Sequence, residues 1–177
     1  MKNRQPLGPD GNCFNGAYKM EILIEKNEII IPKGKVLLEL RNVKTGRVTR
    51  DMIDNMVVTL GKESIADALR GTTSDSRGII TYCALGTGST APALGDSVLE
   101  TEIERKLVSV RSVANNIATF ETFFTTAEGN GSLREAGLFG DDASNVVDTG
   151  TLFCRLAIDR EKTASDTLTL RWRVIIG

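Results

Sequence analysis

The sequence contains no histidine. Histidine is the commonest general base near neutral pH, a frequent metal ligand and the partner of the nucleophile in serine and cysteine triads. With only three cysteines, Cys13, Cys83 and Cys154, and no C-x-x-C pair, the chain also lacks the usual ligands of a structural zinc ion. We therefore expect no metal site, no cofactor and no enzymatic activity.

Disulfides and long hydrophobic runs are missing as well. An odd number of widely spaced cysteines predicts buried thiols rather than a disulfide framework. The longest apolar runs, such as Ile29–Ile31 and Val36–Leu38, are far shorter than the ~20 residues of a membrane helix. The N-terminus, MKNRQPLGPDGN, has no hydrophobic region of the kind found in signal peptides. The sequence thus predicts no membrane segment, and synthesis and folding in a cytoplasm.

Neither sign of charge dominates, since 22 basic residues face 23 acidic ones. No global field attracts the chain to nucleic acid or to an anionic membrane, and we expect neither as a partner. The apolar share of 41% and the charged share of 25% are typical of a globular protein. A chain of 177 residues buries roughly 70% of its unfolded surface, so it can hold a core without disulfides or metals.

Residues 1–20 are rich in proline and glycine and predict an extended N-terminal arm. Phe14 and Tyr18 are two of its few large apolar groups. The arm is interpreted either as a docking strap for a neighbouring subunit or as a frayed terminus. Residues 21–177 predict a single β-rich domain, whose C-terminal module begins at about residue 79.

Period-two alternation is clearest in the C-terminal half. In the segment TLTLRWRVII, apolar residues alternate with threonine and arginine, which indicates one buried and one wet face. The inward set is Leu168, Leu170, Trp172, Val174 and Ile176. The segments TLFCRLAI and IATFETFFT show the same period, and breaks rich in glycine and aspartate separate these runs. The pattern predicts a mainly β fold, an antiparallel β-sandwich or a barrel-like domain.

Two short helices are predicted within this β pattern. The first is KESIADALRG, in which Ile65 and Leu69 are spaced i to i+4. The second begins at Asp96 as N-cap, with Leu99 and Ile103 on one face. The turn Lys44-Thr45-Gly46 predicts a hairpin in which the glycine supplies a positive φ.

Three segments carry a family resemblance: ALGTGSTAPALGDSVLETEIERK, NGSLREAGLF and TLFCRLAIDREKTASDTLTLRWRVII. From about residue 79 to the end, their order resembles a module of phage tail-fibre and tail-collar proteins. The matching positions are Gly86-Thr87-Gly88, Thr90-Ala91-Pro92, Leu99, Glu102, Arg105, Asn130-Gly131, Glu135 to Phe139, and Lys162-Thr163. The resemblance implies a structural or binding role in a virion, with no cofactor and no catalytic residues.

The resemblance also implies partners. We expect a fibre, collar or adaptor subunit that binds other virion proteins as a homo-oligomer, a trimer by analogy with fibres. The candidate interface residues are Phe14, Tyr18, Arg134, Glu135, Arg171 and Arg173. For the arginines of the last strand, the alternative is that they only keep an exposed face soluble. For Arg134 and Glu135, the alternative is a tight turn beside core residues.

Other functions remain open at this stage. A capsid decoration or head-fibre anchoring subunit would suit a chain without a fibre shaft. A carbohydrate-binding or depolymerising module would need two carboxylates about 5–10 Å apart in a cleft. The acidic residues that raise this question are Glu121, Glu128, Glu135, Asp141 and Asp142, and solvated loops and edge charges are the simpler explanation for them. Residues 141, 142 and 148 lack the spacing of a calcium loop, and the Gly86–Thr90 loop lacks the lysine of a phosphate-binding loop. No residue pattern supports a host-surface glycan as a ligand.

Overall fold

The structure is a computed structural model that describes residues 32–70 and 79–176. Its one described helix is α1 (Thr59–Arg70). The strands are β1 (Lys33–Asn42), β2 (Val48–Val57), β3 (Ile80–Gly86), β4 (Glu102–Leu107), β5 (Val110–Ala114), β6 (Ile117–Phe124), β7 (Gly131–Gly140), β8 (Thr151–Lys162) and β9 (Asp166–Ile175). The predicted N-terminal arm and its residues Phe14 and Tyr18 lie outside the described residues.

The nine strands form one curled antiparallel sheet, a half-barrel, in the order β4-β3-β7-β8-β2-β1-β9-β6-β5. The expectation of a mainly β, antiparallel fold is confirmed. Strand β2 makes the bend, because most of its length pairs with β1 while only Met56 and Val57 pair with β8. The predicted hairpin at residues 44–46 is also confirmed, since it joins β1 to β2 with Gly46 at a φ of 72°.

The curl brings the two ends of the sheet together at one corner. Strands β4 and β5 stand at opposite ends of the strand order, yet only Val108 and Ser109 separate them in sequence. The Val108 N–H donates to the Thr81 carbonyl on β3 at 2.9 Å, and the Ser109 N–H donates to the Glu121 carbonyl on β6 at 2.8 Å. The chain itself therefore joins the two halves of the sheet at this corner.

The main core lies between the two halves of the curled sheet. Its largest fully buried aromatic residues are Trp172 and Phe124. Phe139, which is also fully buried, belongs to a second cluster. The alternation predicted for the last strand is confirmed, because Leu168, Leu170, Trp172 and Val174 are buried while Arg171 and Arg173 are exposed. The prediction that Ile176 also faces inward is wrong, because it follows the end of β9 and is 38% exposed. Period-two burial along β9 thus creates one wall of the core.

A second apolar cluster lies on the other face of β3 and β7. It consists of Val58, Ala84, Leu99, Phe139 and Leu152. Neighbouring residues of these strands belong to the main core, so both faces of β3 and β7 are buried. The segment 87–101 contributes Leu99 to this cluster, which places that segment against the sheet.

The first predicted helix is confirmed as α1, with Ile65 packed against the core. The second predicted helix is wrong. Residues 102–107 form strand β4 beside β3, and residues 87–101 form an irregular segment. Leu99 is buried while Ile103 is 40% exposed, so the two do not share a face. Asp96 accepts the N–H of Ala93, which precedes it, at 2.9 Å, whereas an N-cap accepts an N–H that follows it.

Candidate subunit interface

The segment 87–101 is held to the sheet by one buried carboxylate. Glu135 of β7 is 1% exposed and accepts the backbone N–H groups of Gly88 at 3.1 Å, Glu100 at 3.0 Å and Thr101 at 2.8 Å. Arg155 of the neighbouring strand β8 is 3% exposed and donates to the same carboxylate from Nε at 2.9 Å. The charge of Glu135 is therefore balanced inside the subunit.

Arg155 extends the same network toward the surface. Its Nη1 donates to Asp96 at 2.6 Å and its Nη2 donates to the Thr90 carbonyl at 3.0 Å. The glycine-rich segment at residues 86–88 thus lies against a carboxylate of its own chain. A Cβ atom at Gly88 would stand 2.5 Å from the Glu135 Oε1 atom, so the close approach requires glycine there.

A second buried ion pair fixes the loop between β7 and β8. Arg105 of β4 donates from Nη2 to Glu102 at 2.7 Å, and its Nη1 donates to the carbonyls of Ser144 and Thr149, both at 3.0 Å. Its guanidinium carbon lies 4.7 Å from the centre of the Phe139 ring, within cation–π range. The loop of residues 141–150 is consequently shaped by side chains of the sheet.

This loop exposes two adjacent apolar side chains. Val146 is 60% exposed and Val147 is 47% exposed. They lie between Ser144 and Thr149, the two residues whose carbonyls Arg105 holds. An anchored loop that presents two valines to solvent suits contact with another protein.

The strand order leaves β5 at an end of the sheet. In the described part of the chain, β5 pairs only with β6, so one row of its N–H and C=O groups faces outward. All five of its residues are exposed, including Val110 at 47% and Val113 at 76%. The strand contains one charge, Arg111, and no lysine, proline or glycine that would protect the edge. Within the described part of the chain, β5 therefore keeps one unpaired backbone edge.

The β5–β6 hairpin is anchored at its turn. Asn115 has a φ of 54°, which an asparagine tolerates in a tight turn. Asn116 donates from its side chain to the Ile176 carbonyl at 2.8 Å and accepts the Ile176 N–H at its own carbonyl at 3.0 Å. The open edge is thus held in place by the end of β9.

The candidate interface residues proposed from the sequence lie in different environments. Arg134 is on the surface and pairs with Asp159 at 2.6 Å. Glu135 is enclosed by the network around segment 87–101. Arg171 pairs with Glu121 at 2.6 Å on the exposed face of β9, where Arg173 is also exposed. The structure does not bring these residues together into one patch.

The carboxylates that raised the question of glycoside hydrolysis make local contacts instead. Glu121 pairs with Arg171, Glu128 with Lys106, and Glu135 with Arg155. Asp141 accepts a hydrogen bond from the Ser64 hydroxyl at 3.2 Å. Among the described residues, no group of three side chains is arranged to hold a metal ion.

A groove of about 750 Å³ lies where β1 begins. Its wall is largely apolar and includes Gly34, Met56, Val57, Leu94 and Ile175. Pro32, the first described residue, also lines it.

Sequence reasoning missed β5 and the loop valines as surface features. The sequence DDASNVVDTG does contain a signal for the exposed valines, because two adjacent valines in a polar segment fit neither a helical nor a strand periodicity.

No helix of the described residues is long and apolar enough to cross a membrane. Searches of protein-family models, curated proteins and solved structures found no match to this chain.

Proposed function

We propose that the protein is a non-enzymatic structural subunit of a phage virion, of the tail-fibre, collar or adaptor type, that assembles through contacts between subunits. The observation that carries the proposal is strand β5, a five-residue edge exposed on both faces with its backbone groups open on one side. An unpaired strand edge of this kind readily pairs with a strand of another chain, and proteins that stay monomeric usually prevent such pairing. Among the described residues, nothing pairs with the outer edge of β5, and the turn of its hairpin is anchored at Ile176.

The positions that carry the family resemblance give the second line of support. Arg105 and Glu135 are buried, and so is the side chain of Glu102. Glu135 holds segment 87–101, while Arg105, paired with Glu102, holds the loop that carries the exposed valines. These contacts fix the course of the two loops. That is what a structural module requires of its characteristic residues.

The edge is tested by placing one charge on it. Val113→Lys puts a lysine on β5, the residue that natural edge strands use against pairing. The matched control is Val43→Lys, because Val43 is a 54% exposed valine in the β1–β2 turn. In light scattering across protein concentrations, we expect an oligomer for the wild type and for Val43→Lys, and a smaller species for Val113→Lys. A wild type that stays monomeric, or two variants with the same mass, would refute assembly through β5.

The location is tested on particles. An antibody raised against the purified chain is applied to phage particles from the bacterial host and viewed by electron microscopy. Gold label on the tail supports the proposal. Label on the capsid faces would instead assign the chain to the head, as a decoration or head-fibre anchoring subunit. An absence of the chain from purified particles would contradict the virion role altogether.

The proposal that the protein has no enzymatic activity is tested separately. Purified protein is incubated with host surface polysaccharide, and the polysaccharide mass is followed by size-exclusion chromatography. We expect no change in that mass, because the acidic side chains are engaged in ion pairs and hydrogen bonds. A loss of polysaccharide mass that heat-inactivated protein does not cause would establish a depolymerase.

A further inference from the structure

A buried lysine lies against an asparagine side chain at the start of β7. Lys162 ends β8, stands opposite Gly131 in the strand register and is 2% exposed. Its Nζ donates to the Thr125 carbonyl at 2.7 Å and to the Asn130 Oδ1 atom at 2.9 Å. The amine and the carboxamide are thus already in contact, on adjacent strands that pair along their length.

The carboxamide is oriented by a second hydrogen bond. The Asn130 Nδ2 atom donates to the Thr126 carbonyl at 2.9 Å, so the side-chain oxygen faces the lysine and the nitrogen faces away from it. Asn130 itself is exposed, which leaves a path for a small molecule to depart into solvent. The reacting carbon of the carboxamide is one bond beyond the oxygen that Nζ contacts.

Charges around the lysine are few. Burial lowers the pKa of Lys162, while the charges of Asp166 and Glu128 act in the opposite direction. Glu128 is itself paired with Lys106 at 2.6 Å and accepts the Thr125 N–H at 2.7 Å. A lysine with a lowered pKa spends a larger fraction of time as the neutral amine, which is the nucleophilic form.

We propose that Lys162 and Asn130 form an intramolecular isopeptide bond. The lone pair of the neutral Nζ amine attacks Cγ of Asn130, a bond forms between Nζ and Cγ, and the bond between Cγ and Nδ2 breaks. One of the two Nζ protons passes to the departing nitrogen, which leaves as ammonia. The product is a secondary amide, and the step needs no oxidant, reductant or metal. The contact that positions the two groups corresponds to effective concentrations far above those in solution.

The bond would join the turn after β6 to the end of β8. This inference does not depend on the proposed virion role, because it follows from the geometry of one side-chain pair. In a chain for which the sequence predicts no disulfide, such a bond would supply a covalent link between neighbouring strands. The edge strand and its hairpin are not involved.

Mass spectrometry of the full chain tests the bond. After purification and incubation at neutral and mildly alkaline pH, we expect the wild type to lose the mass of one ammonia molecule. Trypsin should then leave Lys162 uncleaved and release a branched peptide that joins residues 112–134 to residues 161–171. The conversion should be faster at higher pH, because more of the Lys162 amine is neutral.

Two variants separate this reaction from its competitor. The Asn130-Gly131 pair can also cyclise to a succinimide, which releases ammonia from the same side chain without involving the lysine. Lys162→Arg keeps a cation for the Thr125 carbonyl but removes the nucleophile, and Asn130→Ser removes the carboxamide from an exposed position. We expect the branched peptide from the wild type and from neither variant. A wild type that keeps its full mass, or one that loses ammonia without yielding the branched peptide, would overturn the proposal.

Discussion

The carboxylate of Glu135 offers the sharpest test of how the loops are held. Glu135→Ala leaves the N–H groups of Gly88, Glu100 and Thr101 without their acceptor and removes one partner of Arg155. Removal of one member of a buried ion pair costs about 3–5 kcal/mol. Each unsatisfied buried N–H group would cost about 1–3 kcal/mol more if it stayed buried.

The two contributions do not simply add. Segment 87–101 is largely exposed along one side, so water can reach its N–H groups once the carboxylate is gone. Arg155 also keeps Asp96 as a partner. We therefore expect the ion-pair figure, a loss of about 3–5 kcal/mol in the free energy of unfolding. For a chain of this size, that corresponds to a fall in Tm of roughly 6–20 °C.

Urea unfolding measures this loss as a shift in midpoint at constant slope. The control is Asp159→Asn, because Asp159 is the 88% exposed partner of Arg134 and exposed pairs contribute about 0–1 kcal/mol. If Glu135→Ala does not fold, Glu135→Asp keeps the charge and tests the geometry instead, with a smaller expected loss. A shift for Glu135→Ala no larger than that of Asp159→Asn would refute the view that this carboxylate holds the loop.

Three further predictions follow from the same structure. Gly61→Ala should destabilise the protein by about 1–3 kcal/mol in urea unfolding, because the new Cβ would stand 2.1 Å from a backbone oxygen of β8; a gain in stability would show that helix propensity outweighs the clash. In a Cys13→Ser background, Cys83 and Cys154 should not react with a thiol reagent at pH 8 until denaturant is added, because burial raises the pKa of each to about 12. Hydrogen bonds from Thr163 hold the pKa of the Asp166 carboxyl below its ordinary 3.8. The ionised carboxylate therefore stabilises the folded state above pH 3.8, and this stabilisation is lost as the pH falls through the lowered pKa. Asp166→Asn should therefore flatten the acid side of the stability profile, and an unchanged profile would contradict this linkage.

The strands were the predictable part of the fold. Alternation along residues 167–176 follows from a strand with one buried and one wet face, and this needs no knowledge of the partner strands. Leu168, Leu170 and Trp172 were placed correctly on that basis. The order of the strands was not predictable, because pairings such as β4 with β3 depend on contacts between distant residues. The exposure of β5 follows from that order alone.

The prediction of a second helix was wrong for a local reason. In residues 96–106, apolar residues four apart fit a helix, but they also occur in a loop that enters a strand. The strand forms here rather than the helix because β3 has an edge with unpaired backbone groups, and β4 forms hydrogen bonds with those groups. Glu102 and Arg105 then pair on the same side of the sheet, because a register shift near Gly86 interrupts the alternation. A β-bulge of this kind cannot be predicted from the hydrophobic periodicity of the sequence.

The buried ion pair was visible in the sequence but not recognised. Glu135 interrupts the run LREAGLFG, and Arg155 interrupts the run TLFCRLAI. Each charge lies in a segment that is otherwise buried, and the two strands pair with Gly137 opposite Arg155. Opposite charges that each interrupt a buried strand indicate an internal pair, since a lone buried charge is very costly. With that rule, Glu135 would have been predicted inside the subunit.

Three charged side chains share one physical task in this fold. Glu135 holds segment 87–101, Arg105 holds the loop 141–150, and Lys162 holds the turn at residues 125–130. An apolar side chain at any of these positions would bury surface but would leave backbone N–H or C=O groups without a partner. A buried charge with several directed hydrogen bonds instead selects one loop conformation, at a cost in desolvation. Loops that are fixed in this way keep their exposed side chains in place.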